Sequence, residues 1–294
     1  MKKSLLVALL LGFVIHIQAQ DRKLNIIAIG AHPDDCDSKF GGTAAMFAQM
    51  GHNVKFVALT NGDAGHQSQG GGALGKRRRA ESQEAGRRLG ITYDVLDNHD
   101  GELLPSLDVR LQVIRKIREW DADIVLGLRP NDYHPDHRNA GKVVIDASYM
   151  VIVPNVAPDT PPLEKNPLFL YMQDHFQKPY PHQPDIVVAI DDAIEKKIDG
   201  LDAHESQMYE WLPWTRGAVD QVPQGKEARR AWLAENTKRS NKNVSSERLE
   251  QLKKWYGDAK AATVQYTEAF EIAEYGLQPK EEDIRALFPM LKKP

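Results

Sequence analysis

The sequence predicts an α/β fold with a mainly parallel sheet covered by helices on both faces. Three observations carry this. Short apolar, β-branched runs alternate with amphipathic helical stretches, as strands joined by crossover helices do. The first run, Leu24–Ile29, reads as a strand buried on both faces and stops at Gly30. Several runs end in polar or Gly-rich turns, the strand ends where open α/β sheets bind ligands.

Taken in order, Leu24–Ile29 leads into a helix whose Phe40, Ala44, Ala45, Phe47 and Ala48 recur at core spacing, with Gly41-Gly42 in its early turns. A second strand, His52–Leu59, ends at Thr60–Gly65. Gln67–Gly75 is polar and Gly-rich, has no core pattern, and is expected to be a mobile loop. A helix over Lys76–Leu89 follows, stopped by Gly90. Thr92–Leu96 reads as a short strand with Asp97–Gly101 at its end, and Leu107–Trp120 as an amphipathic helix. Asp123–Gly127 is the next strand, and Arg138–Met150 the next helix. Residues 153–184 are proline-rich, enclose a strand at Leu168–Met172, and suit a lid or rim. Asp185–Ile190 is a strand, and a helix is expected from Asp191 to about Trp211. Residues 213–262 are charged and sparsely apolar, and Trp232, Leu249, Leu252, Trp255 and Tyr256 suggest amphipathic helices there. Thr263–Ile272 can return to the core, and Lys280–Leu291 forms a short terminal helix.

The 294 residues carry a net charge of −3 and no basic excess, so nucleic acid is not an expected partner. Lys2-Lys3, the apolar run Leu5–Ile15 and Ala19 have the form of a signal peptide over residues 1–19. The run is short for a membrane span, and no other segment reads as transmembrane. The protein is therefore expected to be exported, periplasmic or extracellular, with retention as an anchor the alternative. Residues 20–212 are expected to form the main domain, and 213–294 a helical insertion and C-terminal extension packed on it. The single Cys36 allows no intramolecular disulfide. Nothing fixes the oligomeric state.

Chemistry concentrates at two strand ends. His32, Asp34 and Asp35 follow the first strand; Tyr133-His134-Pro135-Asp136-His137 follows the run at 123–127. A His-Pro-Asp turn alone is more often a capping turn. Two His/Asp clusters at strand ends point instead to a shared metal. A catalytic zinc site takes three protein ligands and keeps one position open, which His32, Asp35 and His137 satisfy. Asp34 and His134 are left for proton work, though Asp34 also suits helix N-capping and His134 could be a fourth ligand or a surface residue. Cys36 adjoins Asp35 too closely to share the ion and is read as structural.

These motifs resemble the LmbE/PIG-L family of zinc-dependent de-N-acetylases. Ala31–Asp35 with Cys36 and Asp37 matches its Ala-His-Pro-Asp-Asp-x-Glu signature, except that Asp37 replaces Glu; His134–His137 matches His-Pro-Asp-His. The likeness runs from Leu24 to about Gln207 and implies a Rossmann-like three-layer α/β/α architecture. It implies one Zn2+ per chain held by His32, Asp35 and His137, with Asp34 as general base and His134, as a protonated imidazole, steadying the oxyanion. Asp136 and Asp37 become supporting carboxylates. Arg78, paired with Glu81 on one helix, Asp100, Asp63 and His204 become substrate-binding candidates. For each of these four the plain alternative is a solvated, turn or helix-end residue. The implied substrate is an N-acetylated sugar or glycoconjugate. A metallo-hydrolase of another bond and a non-catalytic carbohydrate-binding protein are the alternatives. No Gly-x-Gly-x-x-Gly follows the first strand, which argues against a dinucleotide cofactor. Trp211 and Trp214 could stack on sugar rings at a rim, although burial is the commoner fate of aromatics.

Overall fold

A computed structural model describes residues 22–242 and 245–291. The expected signal peptide lies outside the described residues. Seven strands form one sheet: β1 Asn25–Gly30, β2 Asn53–Thr60, β3 Thr92–Asn98, β4 Ile124–Gly127, β5 Leu168–Met172, β6 Ile186–Ala189 and β7 Thr267–Gly276. Their spatial order is β3-β2-β1-β4-β5-β7-β6. The pairings among β1 to β5 are parallel; β7 runs antiparallel to both β5 and β6.

Helices cover the sheet: α1 Asp35–Gln49, α2 Gly71–Leu89, α3 Leu107–Glu119, α4 Pro135–Met150 and α5 Ile194–Asp202. Helices α1, α2 and α5 pack together, as do α3 and α4. With right-handed crossovers, this places the two groups on opposite faces, the expected three layers. Ile26, Ile27, Ala28 and Ile29 are completely buried, as a central strand of a covered sheet requires. Phe40 of α1 packs 5.9 Å from Phe56 of β2 and 5.5 Å from Phe270 of β7, between ring centres.

Strand order reverses between β1 and β4. Their carboxyl ends therefore flank the crevice where open α/β sheets bind ligands. Both His/Asp motifs sit at that crevice.

Several boundaries depart from expectation. Helix α2 begins at Gly71, inside the expected loop, because Leu74 is buried and the Gly71 N–H donates to the Asp63 carbonyl at 2.8 Å. Helix α4 begins at Pro135, so the second motif occupies its first turn, with proline at the tolerated first position. The single helix expected to Trp211 is broken. Helix α5 stops at Asp202; a π-helical turn spans Ser206–Trp211 and runs into α6, Leu212–Thr215. Glu81 explains the restart, accepting from the Ser206 N–H at 3.0 Å and its hydroxyl at 2.6 Å.

The charged segment forms α7 Lys226–Asn241, α8 Ser246–Tyr256 and α9 Asp258–Ala261; α10 spans Glu281–Leu287. The stretch expected to return to the core at Thr263–Ile272 supplies β7, which fills a position inside the sheet. No helix among the described residues is long and apolar enough to cross a membrane.

Candidate active site

The turn after β1 is built around Asp35. Its Oδ2 accepts the backbone N–H groups of Ala31 at 2.9 Å and His32 at 2.8 Å, folding the motif back on itself. This leaves Asp34 in a backbone conformation rare for side-chain-bearing residues, with φ of 134° and ψ of −20°. Such outliers carry strain of about 1–3 kcal/mol and cluster at functional sites. The side chain of Asp34 makes no capping bond to α1, so the capping alternative is not realised.

Across the crevice, the turn after β4 presents His134 and His137. His32 Nδ1 lies 3.1 Å from His137 Nε2. His137 Nε2 lies 3.3 Å from Asp35 Oδ1, and His32 Nδ1 lies 3.7 Å from Asp35 Oδ2. A tetrahedral ion with bonds of about 2.0–2.1 Å has ligand-to-ligand edges of about 3.3–3.4 Å. The His32–His137 and His137–Asp35 Oδ1 separations lie close to that value, while His32 approaches the other carboxylate oxygen, Oδ2; His134 also brings a ring nitrogen within 4.8 Å of both imidazoles, and two imidazoles plus a carboxylate suit zinc.

A second cluster shares His32. Its Nε2 is buried 3.0 Å from Asp100 Oδ1 and 3.3 Å from Asp136 Oδ2, without a well-directed hydrogen bond to either. Asp136 already accepts backbone N–H groups from Gly101 at 2.7 Å and Leu103 at 3.2 Å, and Asp100 Oδ2 faces Arg78 at 3.5 Å. These carboxylates are better placed to orient His32 from behind than to hold an ion. Asp136, expected as a supporting carboxylate, faces His32.

His137 has a similar support. Its Nδ1 is 2.9 Å from Asp132 Oδ1, which also accepts the His134 N–H at 3.1 Å. Asp132 was not picked out from the sequence. Its only signal was a carboxylate five residues before a histidine, in a turn where Asp is common. Asp35 and Asp132 outweigh the lowering effect of burial and raise the His137 imidazole to about 9. Burial also works to raise Asp100, but His32 and Arg78 hold it down at about 2. The crevice thus gathers carboxylates that stay ionised and attract positive charge.

His134 lies beside this cluster. Its ring centre is 4.6 Å from that of His32 and 5.1 Å from that of His137. Its Nδ1 accepts the Asp136 N–H at 3.2 Å, making His134 the N-cap of α4. Burial and the neighbouring imidazoles His32 and His137 lower its pKa. Because Nδ1 accepts that N–H, a proton carried by the ring sits on Nε2. Burial raises Asp34 to about 6, against the lowering effect of Arg78.

Two expected substrate contacts are instead internal. His204 is completely buried with its Nε2 3.2 Å from Asp37 Oδ2, so it cannot line a rim. Tyr93 completes this group: its hydroxyl donates to Asp37 at 2.9 Å and accepts the Asp34 N–H at 3.1 Å. Asp37, expected as a supporting carboxylate, thus lies beneath the strained Asp34. Arg78 is only 2% exposed and donates to the carbonyls of Pro33 at 3.0 Å and Gly62 at 3.2 Å. It is a strut between the turns after β1 and β2, 3.7 Å from Asp34 Oδ2. Its expected partner Glu81 bonds Arg77 and Ser206 instead. Asp63 accepts from the Asp100 N–H at 3.0 Å and pairs with His99 at 2.7 Å, fixing the turn that carries Asp100.

The rim is aromatic. Tyr133 is 71% exposed, with its ring 5.4 Å from His137 and 6.5 Å from Phe176. Phe176 belongs to the proline-rich segment, which is held by a buried fork from Arg129 to Asp174 at 2.7 and 3.0 Å. A separate surface depression lies between α2, α5 and α7, but its Arg88 and Arg230 are already paired with Asp202 and Asp199. It has none of the metal-binding chemistry of the crevice.

Residues 27–148 match the family model described as PIG-L, GlcNAc-PI de-N-acetylase. The chain is 31% identical over 221 residues to the diacetylchitobiose deacetylase of Thermococcus kodakarensis, covering 70% of this chain and 80% of that one. A solved N,N'-diacetylchitobiose deacetylase from Pyrococcus horikoshii superposes with a TM-score of 0.62 at 25% identity, over 87% of each chain. The 4-carboxy-2-hydroxymuconate hydratase GalB of Pseudomonas putida also reaches a TM-score of 0.62, at 19% identity, over 88% of this chain and 99% of that one. The last likeness concerns fold alone, since one scaffold hosts several chemistries. The matched motifs, the switch-point crevice and the extent of the identity together lead to one assignment: this chain belongs to the GlcNAc-PI de-N-acetylase (PIG-L) family.

Proposed function

We propose that the protein is an exported, zinc-dependent deacetylase, which hydrolyses the N-acetyl group of an amino sugar or glycoconjugate to acetate and a free amine. The observation that carries this reading is the convergence of His32 Nδ1, His137 Nε2 and Asp35 within 3.1–3.7 Å, with Asp34 and His134 beside them. His32, Asp35 and His137 would hold one Zn2+ per chain. Bound there, the ion supplies Lewis-acid polarisation of the acetamide carbonyl and a water of lowered pKa.

The remaining chemistry belongs to the chain. Asp34, at about 6, is largely ionised at neutral pH yet basic enough to take a proton from the attacking water. The strained backbone and the Tyr93 hydroxyl fix where that carboxylate stands. His134 donates its Nε2–H to the oxygen on which negative charge develops. Asp34 then returns the proton to the departing nitrogen as the C–N bond breaks. Asp100, Asp136 and Asp132 orient the ligand imidazoles. Arg78 holds the turns around them and keeps a positive charge near Asp34.

The T. kodakarensis and P. horikoshii relatives, both described as diacetylchitobiose deacetylases, support the acetamido-sugar substrate class. Export rests on residues 1–19 and favours an envelope or extracellular glycan. The test is to incubate zinc-loaded protein with a panel of N-acetylated sugars and measure free acetate. Release from at least one sugar, abolished by chelation and restored by zinc, is expected; no release from any removes the reading. Two tightly bound ions per chain, by elemental analysis, would favour a two-metal hydrolase acting on a different bond. Cell fractionation and N-terminal sequencing of the purified protein test export and cleavage after Ala19.

A further inference from the structure

Resting on the deacetylase reading, we propose that Trp211 and Trp214 form a subsite for a second sugar ring, so that the substrate is a glycan of two or more rings. The two indoles stack with centres 5.2 Å apart and planes 15° from parallel. Trp214 is 51% exposed. Trp120 and Trp255 donate their indole N–H groups to the carbonyls of Ile26 and Asp185, each at 3.0 Å. Trp211 and Trp214 have no such acceptor among the described residues. The stack leaves the outer face of Trp214 in solvent, and neither indole N–H is committed to an acceptor among the described residues.

The platform joins the site through Gly65. A Cβ at that position would lie 2.9 Å from Arg78 Nη1, 3.1 Å from Asp100 Oδ2 and 3.8 Å from Trp211 Nε1. One added atom would touch the platform and the crevice together, so they are neighbours. The mounting is also firm. Arg77 clamps Glu210 at 2.9 and 2.7 Å, His66 bonds the same carboxylate at 2.7 Å, and Gln207 donates to the Gly65 carbonyl at 3.0 Å. These contacts tie the π-helical turn to α2 and to the loop after β2; such turns recur at functional sites.

A pyranose suits this platform. Its axial C–H groups form an apolar face, and its hydroxyls and acetamido groups surround that face. Stacked indoles offer a flat apolar surface with donors at the edge. A catalytic crevice that holds the reacting acetamide would leave the neighbouring ring of the same glycan to lie on Trp211–Trp214.

The test is calorimetric titration of the zinc-loaded full chain with glucosamine and with its β-1,4-linked disaccharide, neither of which carries an acetyl group to remove. The disaccharide is expected to bind about tenfold or more tightly, a gain typical of one good stacking contact. Trp214→Ala should remove that advantage and leave glucosamine binding intact, and Trp214→Phe should restore part of it. Equal affinities for the two ligands, or an equal loss on both in Trp214→Ala, overturn the proposal. So does a Trp214→Ala protein that changes from dimer to monomer in sedimentation, which would assign the face to a second copy of the chain. Acetate release separates the two readings: disaccharide binding that depends on Trp214 without turnover of any acetylated sugar sinks the reaction and leaves the subsite.

Discussion

The chain buries two groups of charges and treats them differently. Between α1, α5, α7 and β7, Lys197 and Glu268 pair at 2.8 Å with almost no exposure. Lys197 also donates to Asn241 at 3.1 Å, while Glu268 accepts the N–H groups of Gly42 at 3.0 Å and Thr43 at 2.8 Å. None of the three side chains has a buried polar atom left without a partner. At the crevice His32 Nε2, and beneath it Asp37 Oδ1 and both ring nitrogens of His204, are buried without a directed hydrogen bond, and Asp34 is strained. The first group is saturated and serves the fold. The second is left under-satisfied where charge must be handled during reaction, as expected when stability is given up for chemistry.

The widest separation between the two groups is expected from Asp34→Asn. It should lower kcat by about 10²–10⁴ with metal content unchanged, the usual loss for a general base. Full turnover with metal bound would break the assignment. Lys197→Met should do the opposite, because it leaves Glu268 charged and buried. A loss of about 3–5 kcal/mol is expected in denaturant melts, with activity per folded molecule preserved. If Lys197→Met instead removed activity at constant stability, the saturated group would not be purely structural.

Asp132→Asn should weaken zinc affinity about 10–100-fold, as loss of a carboxylate behind a ligand histidine does, and a competitive chelator titration reads this directly. Asp34→Gly should raise stability by about 1–3 kcal/mol by releasing the strained backbone, while abolishing turnover. No gain in melting temperature would mean that the turn is not strained. The smallest effect is a pH trend in metal-free protein. Burial holds the folded-state pKa of Asp34 at about 6, above the ordinary carboxylate value of 3.8. Between these values the folded chain binds more protons than the unfolded one, so wild-type stability falls as pH rises. Relative to Asp34→Asn, the wild type should lose stability from about pH 4 to about pH 6 and then level off; a flat difference contradicts the burial.

The sequence made the crevice legible because both motifs are local and each follows an apolar run. The parallel sheet followed from the alternation of strands and helices. What escaped was set by distant contacts. Tyr93 is the second residue of β3, and nothing in Thr92–Asn98 shows that its hydroxyl reaches Asp34 and Asp37. His204 read as a rim residue because its burial depends on packing against α1 and β3, which no local pattern reports. Helix α2 starts among glycines that disfavour helix, because Leu74 and the Asp63 carbonyl override propensity. The π-helical turn depends on Glu81, more than a hundred residues away in sequence.

The position of β7 bears on biogenesis. This strand comes late in the chain yet is the only sheet partner of β6 among the described residues, and it separates β6 from β5. On a ribosome, residues 186–189 must wait unpaired until residues 267–276 have emerged. Such long-range closure slows folding and exposes a bare edge to neighbouring nascent chains. A premature stop before Thr267 would therefore leave a complete set of catalytic motifs on a sheet that cannot close.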